Sequence, residues 1–297
     1  MKTTDELYAE LRPLAFSIAY RMLGSAAEAE DVVQESFLRL HRAAEDGEVR
    51  APKAYLATVV TRLSIDRLRS ARARREHYVG TWLPEPIVTD DELDAAVEAE
   101  TADSLSLAFL VLLESLTPVE RAVFLLRDVF DHGYDDIARI VGKREDNVRQ
   151  IAARARRHVE ERRPRFESSR EERERLAERF FAAASAEDPD AVADLLAPDV
   201  AFYGDGGGKV RGAIPRPVFG RERVTRLLLG FARTGIELDL RMRVATVNGQ
   251  PGAVFFTPDG SPFSVITLDV AEGAVTAIRS VVNPDKLGHL APLEPAA

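Results

Sequence analysis

The 297 residues contain no cysteine, which excludes disulfides, thiolate metal sites and cysteine nucleophiles together. No apolar run approaches the roughly 20 residues that a membrane-spanning helix needs. The opening, Met1-Lys-Thr-Thr-Asp-Glu6, lacks the apolar core of a signal peptide. These absences lead us to expect a cytoplasmic protein. Net basic charge is missing too: at −9 the chain is not one that coats nucleic acid along its whole surface. His77, His132, His158 and His289 are scattered and form no metal-ligand spacing, so no metal or other cofactor is expected. Tryptophan is rare as well, and the only one, Trp82, sits between prolines and acidic residues rather than on a periodic helix face. Such a placement predicts an anchor for a pocket.

Charge is distributed in blocks. Residues 76–103 carry nine Asp/Glu and no Lys or Arg. The preceding residues 51–75 have a balance of +6, and residues 139–157 a balance of +5. Two basic helical arms on either side of an acidic linker suit a protein that grips a polyanion at two places. An acidic tether that only keeps the chain soluble is the plainer alternative.

Leu7, Leu11, Leu14, Ile18 and Met22 recur at helical spacing up to Gly24. A second helix from Ala26 turns Ala29, Val32, Val33, Phe37 and Leu40 inward, with Asp31, Glu35 and Arg39 outward. A short polar loop, 43–51, leads to Pro52, which suits the first turn of a third helix, 52–75. That helix ends on Arg67, Arg69, Arg72, Arg74 and Arg75. Its dipole calls for one or two cations; five favour phosphate contact.

Ala29-Glu-Asp31-Val-Val-Gln34-Glu35-Ser-Phe37-Leu-Arg39, then Ala54-Tyr55-Leu56 and Ile65-Asp66-Arg67-Leu68-Arg69, resemble region two of extracytoplasmic-function (ECF) sigma factors. The resemblance implies that Asp31, Gln34 and Glu35 dock on the polymerase clamp helices. It also implies that the 43–51 loop captures a base flipped from the −10 element, with Asp66, Arg67, Arg69 and Arg72 on the DNA side. Selective capture of an unstacked base turns the cost of opening into sequence choice. Arg62 stands where the family often has Asn, so the usual −10 preference is not assumed.

Farther on, Leu105, Phe109, Leu112, Leu113 and Leu116 share a helix face. Thr117-Pro118-Val-Glu120 is a capping box with proline at the first helical position. Tyr134–Val141, a stop at Gly142, and an Arg-rich helix with Val148, Ile151, Ala152, Ala155 and Val159 inward read as a helix-turn-helix. An ordinary helical hairpin fits the same pattern. Leu116–Leu126 and the helix-turn-helix resemble sigma region four. That resemblance makes Arg149, Gln150 and Arg154 the candidates for −35 contacts, while Arg156 and Arg157 suit phosphate or solvent. Arg144 replaces the Ser that related sequences use as N-cap, which predicts a weaker cap.

After Pro164 a charged run restarts a helix with Leu176, Phe180, Phe181 and Ala184 inward, and a short helix follows at 190–196. The period then changes to strands at Val200–Tyr203, Leu238–Val247, Ala253–Thr257, Phe263–Val270 and Val275–Val282, with a helix at 221–233. Asn248-Gly249, Asp259-Gly260 and Glu272-Gly273 mark hairpins. This order resembles the SnoaL-like or NTF2-like cone, an α+β fold with a central pocket. Tyr203, Asp205 and Asp239 are its candidate acid-base groups, but the fold alone does not imply catalysis and none is expected.

Trp82-Leu-Pro84-Glu85-Pro86, Asp205-Gly206-Gly207-Gly208-Lys209 and Asn283-Pro284-Asp285-Lys286-Leu287 are three further strings. The glycine-rich one lacks the spacing and ending of a P-loop. In this order the three resemble the SigJ-type group of ECF sigma factors with a fused SnoaL-like extension. The resemblance implies that the extension replaces a separate anti-sigma factor and contacts the linker, and that core polymerase (clamp helices and flap) and promoter DNA are partners. The expectation is therefore a multidomain protein. An all-α region two spans 1–75, an acidic linker 76–103, a region four helix-turn-helix 104–163 and an α+β SnoaL-like domain 170–297. Close backbone approach of Gly206–Gly208 to the Trp82 segment is expected. A ligand-sensing or catalytic cone fused to a helix-turn-helix regulator, and a conventional repressor, remain open, as does an unidentified small-molecule ligand in the cone.

Overall fold

Helix-start devices organise the first half of the computed structural model, which describes residues 4–47, 49–75, 77–88, 104–161 and 169–293. Ser25 Oγ accepts from Glu28 N at 3.1 Å and opens α2 (Ala26–Glu45) right after α1 (Thr4–Leu23). Such a cap is worth about 1 kcal/mol. Helix α3 (Pro52–Arg75) closes a three-helix core in which Leu11, Ile18, Met22, Val32, Val33, Leu40, Leu56 and Val60 are buried. Leu7 and Leu14 are only half-buried.

Helix α4 (Leu107–Leu113) leads to α5 (Pro118–Phe124), whose capping box forms as expected: Glu120 N donates to Thr117 Oγ1 at 3.3 Å, and Thr117 N to Glu120 Oε2 at 3.0 Å. Burial alone would raise the Glu120 pKa; the two Thr117 hydrogen bonds outweigh it and hold it low. A π-turn at Leu125–Val129 separates α5 from α6 (Tyr134–Val141), and Gly142, at φ 64, turns the chain into α7 (Glu145–Glu160). Val123, Leu126, Ile137, Ile140, Val148, Ile151 and Ala152 form the small core of this helix-turn-helix.

The chain divides into two units, Met1–His77 with Leu110–Arg163, and Tyr78–Phe109 with Pro164–Ala297. Within the first, buried Arg121 joins the two helical groups: its Nε donates to Arg21 O at 2.9 Å and it is paired with Glu114. Arg21 is itself buried under Phe130, and burial lowers its pKa to about 10.

In the second unit, α8 (Arg170–Ser185) starts with a Ser169–Glu172 capping box and α9 (Pro189–Leu195) with Asp188 as cap. Strands β1 (Leu196–Asp205) and β2 (Val218–Phe219) follow, then α10 (Arg221–Glu237). Strands β3 (Arg241–Val247), β4 (Gln250–Phe256), β5 (Pro262–Ala271) and β6 (Ala274–Val281) complete the sheet. The order is β2-β1-β6-β5-β4-β3, antiparallel except for the β1–β6 pair, which is parallel. Positive φ at Asn248, Gly249, Glu272 and Gly273 supplies the two tight hairpins.

Two expectations shift. Leu238–Leu240 is not strand: α10 runs to Glu237, and Leu240 N returns to Gly235 O at 2.9 Å with Asp239 at φ 51. Strand β1 begins at Leu196, where the last residue of a short helix was expected. Phe180, Phe181, Phe202, Leu228, Leu268 and Ile278 form the core between helices and sheet, with Phe231 5.5 Å from Phe202. Pro164 and the acidic stretch 89–103 lie outside the described residues. Among those described, no helix is long and apolar enough to cross a membrane.

Candidate functional site

The parallel register Asp205↔Val281 brings the ends of β1 and β6 side by side. The chain leaves both at one edge, so two strings far apart in sequence meet: Val282 N and Asn283 N both donate to Asp205 O, at 2.8 and 3.0 Å. Asn283 Oδ1 accepts from Asp285 N at 3.1 Å and starts the 3-10 turn Pro284–Lys286, which turns Lys286 inward.

The Asp205 carboxylate has no exposed surface. Its Oδ2 accepts from Lys286 Nζ at 2.7 Å and from Leu83 N at 2.8 Å. Its Oδ1 accepts from Tyr78 Oη at 2.5 Å and Gly207 N at 3.2 Å. Lys286 Nζ also donates to Leu83 O, and lies 4.4 Å from the Trp82 ring and 4.8 Å from that of Tyr78. The backbone N–H and the backbone carbonyl of Leu83 are thus both taken by one buried ion pair. A buried pair stabilises only when further hydrogen bonds satisfy its remaining donors and acceptors, and here segment 78–83 supplies them. Leu83 is 1% exposed whereas Trp82 is half-buried, so the expected anchor is the neighbouring leucine, and the indole caps the ammonium instead.

Asn283 Nδ2 donates to Tyr78 Oη at 2.8 Å. Burial first, then the hydrogen bond to and charge of Asp205, push the Tyr78 pKa well above the usual tyrosine range. The expected glycine approach to this segment occurs at Tyr78 and Val79 rather than at Trp82 itself. A Cβ on Gly207 (φ 57) would lie 2.4 Å from Asn283 Nδ2 and 3.0 Å from Tyr78 Oη, and one on Gly208 (φ 72) 3.0 Å from Val79 Cβ. Gly206 faces Ala213. Lys209 and Asp285 form an ion pair on the surface, and Leu287 is buried. Pro84 is buried and Glu85 half-buried.

Asn248 secures both sides of the acidic stretch. Its Oδ1 accepts from Ile87 N at 2.9 Å and its Nδ2 donates to Leu105 O at 3.0 Å, while its own N donates to Ile87 O at 2.8 Å. Val88 bridges Val247 and His289 Nε2 donates to Pro86 O at 2.8 Å. Sequence reasoning took Asn248 as a turn residue only and assigned no contact to Tyr78 or His289. The alternation of β-strand side chains places Tyr203 opposite Phe202, on the face where Arg279 stacks on it at 5.3 Å and pairs with Asp269. Asp239 is exposed in a turn. The three candidate acid-base groups are therefore not gathered, and among the described residues no three His or carboxylate groups are placed to hold a metal.

In the first unit a groove of about 470 Å³ is lined by Arg39, Arg50, Tyr55, Thr58 and Arg62 among others. Helix α7 leaves Arg149, Gln150 and Arg154 exposed, with Arg149 paired to Glu145 at 2.5 Å and 4.4 Å from the Tyr134 ring. Arg144 is the N-cap residue and makes no side-chain cap bond; Asp146 Oδ1 bonds Asn147 N instead, at 2.8 Å.

Three protein families match the chain: Sigma-70 region 2 over residues 7–74, Sigma-70, region 4 over residues 106–159, and the SnoaL-like domain over residues 177–282. The ECF RNA polymerase sigma factor SigJ of Mycobacterium tuberculosis is 39% identical over 287 residues, covering 93% of this chain and 90% of that protein. The chain belongs to the ECF RNA polymerase sigma factors. The probable ECF sigma factor SigI of M. tuberculosis is 31% identical over 94% of this chain and 93% of its own length. The crystal structure of M. tuberculosis SigJ superposes with a TM-score of 0.75 at 36% identity, covering 95% of this chain and 97% of that one.

In this sigma factor Asp31, Gln34 and Glu35 lie along one side of α2, with Asp31 and Gln34 exposed. Asp31 is paired with Arg67 at 3.1 Å, so two residues assigned to different surfaces meet. Asp66 pairs with Arg69 at 3.0 Å. Arg72 lies on α3, its side chain outside the described residues. Arg156 is paired with Asp128, whose hydrogen bond and charge raise its pKa.

Proposed function

We propose that this sigma factor directs core polymerase to promoters through two arms and that its C-terminal domain sets their freedom by gripping the linker. Asp31, Gln34 and Glu35 would dock on the clamp helices, Asp66, Arg67, Arg69 and Arg72 would follow −10 DNA, and Arg149, Gln150 and Arg154 would read −35. Arg and Gln suit that last role because each can bond bidentately to a guanine or adenine edge. We further assign residues 1–75 to region two, 76–103 to the linker, 104–163 to region four and 170–297 to the regulator, and place its work in the cytoplasm with core polymerase and promoter DNA as partners.

The observation that carries the regulatory part is the pair of hydrogen bonds that Leu83 makes, its N–H to Asp205 and its carbonyl from Lys286. Because the grip is intramolecular, even weak contacts act at high effective concentration. The commitment of Asp205 to this dock supports a binding role for the domain rather than acid-base catalysis.

Run-off transcription with purified bacterial core enzyme tests both parts. The template is the gene's own upstream region, and the forms compared are the full chain, a chain of residues 1–163, and a chain ending before Asn283. A defined start from any form supports the assignment, and the ranking of the three gives the sign of the regulation. No start, together with no retention on core polymerase, overturns it.

A further inference from the structure

Helix α6 has eight residues, and its last carbonyls need partners from outside the helix. The N–H groups of Gly142 and Lys143 both go to Ala138 O. The Ile140 and Arg139 carbonyls are met instead by one side chain of α3: Arg62 Nε donates to Ile140 O at 2.8 Å and Arg62 Nη2 to Arg139 O at 2.8 Å. A planar guanidinium matches two adjacent carbonyls, and its charge complements the negative end of the helix; a lysine, a point charge, cannot fork in this way. Arg62 thus joins a region-two helix to the first helix of the helix-turn-helix.

The same residue walls the groove that Arg39, Arg50, Tyr55 and Thr58 share. Arg62 is exposed, so an anion in that groove can reach it without unfolding the chain. The edge facing the carbonyls is one a phosphate binds side-on, and a full anion is a stronger partner than a helix end of about half a charge.

We propose that Arg62 is a clasp between region two and region four, and that a nucleic-acid phosphate entering the groove takes Arg62 from α6 and releases the helix-turn-helix. The proposal rests on the promoter-binding reading and adds a coupling: occupancy at one arm frees the other.

The cysteine-free chain makes the test direct. Thiols introduced at two exposed positions, Leu38→Cys on α2 and Ala153→Cys on α7, carry dyes for single-molecule energy transfer in the full chain. Arg62→Ala should raise the low-transfer population on the order of tenfold, about the worth of one charge-assisted hydrogen bond, with Arg62→Lys between it and the parent. A twelve-nucleotide oligothymidylate, its binding followed by anisotropy, should raise that population in the parent and leave Arg62→Ala unchanged. An unaltered population in Arg62→Ala overturns the clasp. Should circular dichroism show that variant unfolded, Arg62→Lys decides alone. An oligothymidylate that fails to bind, or binds without loss of transfer, overturns the competition. No arm contains polymerase, so failure here is distinct from failure of run-off transcription.

Discussion

Asp205 and Lys286 lie 2.7 Å apart with side chains 0% and 8% exposed; Leu83 donates its N–H to the first and accepts at its carbonyl from the second. The pair therefore holds the backbone of Leu83 as well as the side chains of Tyr78 and Trp82, and its energy depends on the presence of segment 78–83. Lys286→Met leaves the carboxylate buried without its cation, which costs about 3–5 kcal/mol. Urea denaturation followed by Trp82 emission should show that loss, and adding Asp205→Leu should return part of it. An unchanged midpoint for Lys286→Met would sink the proposed grip.

Tyr78 gives the dock an alkaline limit. Its folded pKa is raised, so the folded chain keeps the phenol proton where an unfolded tyrosine, titrating near about 10, has lost it. The stability it contributes is complete below that pH and declines as pH rises beyond it. Tyr78→Phe should remove this portion of the alkaline decline. Superimposable stability–pH curves for the two proteins above pH 9 would refute the assignment.

Gly207 and Gly212 both have positive φ, at 57° and 87°, but a Cβ at Gly212 meets nothing within 4 Å. Gly212→Ala should carry only a backbone cost of about 1–2 kcal/mol. Gly207→Ala should add about 1–3 kcal/mol of overpacking against Asn283 and open Trp82 to acrylamide quenching. Equal effects at the two sites would mean that the close approach is unimportant.

Arg144→Ser supplies the cap that α7 lacks. Since Asp146 already bonds Asn147 N, the gain should fall in the lower part of the usual range, about 0.5–1 kcal/mol. Thermal unfolding followed by circular dichroism checks it, and a lower midpoint would contradict it.

The helices were legible because period and punctuation agree: Thr117-Pro118-Val-Glu120 specifies a helix start, and Gly142 a stop. The end of α10 was not, because Leu238 continues an apolar pattern that suits helix and strand alike; long-range pairing decides. The three linker-dock strings were recognisable by resemblance, yet their wiring was not. That Leu83 rather than Trp82 is buried, and that Asn248 bonds both Ile87 and Leu105, follows from the parallel β1–β6 register and a hairpin position. Local sequence does not encode either. Arg62 was visible as a departure, but its two carbonyl partners lie 77 and 78 residues away.

Strand β6 is made after β1–β5 and sits between β1 and β5. Until it emerges from the ribosome, Asp205 has neither its sheet neighbour nor Lys286. At roughly 5–20 residues per second, the interval between completion of the helix-turn-helix and arrival of Lys286 is about 6–25 s. Each new molecule thus carries both helical arms before segment 78–83 has the Asp205–Lys286 pair to dock on. The time a ribosome spends on residues 164–286 sets how long that interval lasts.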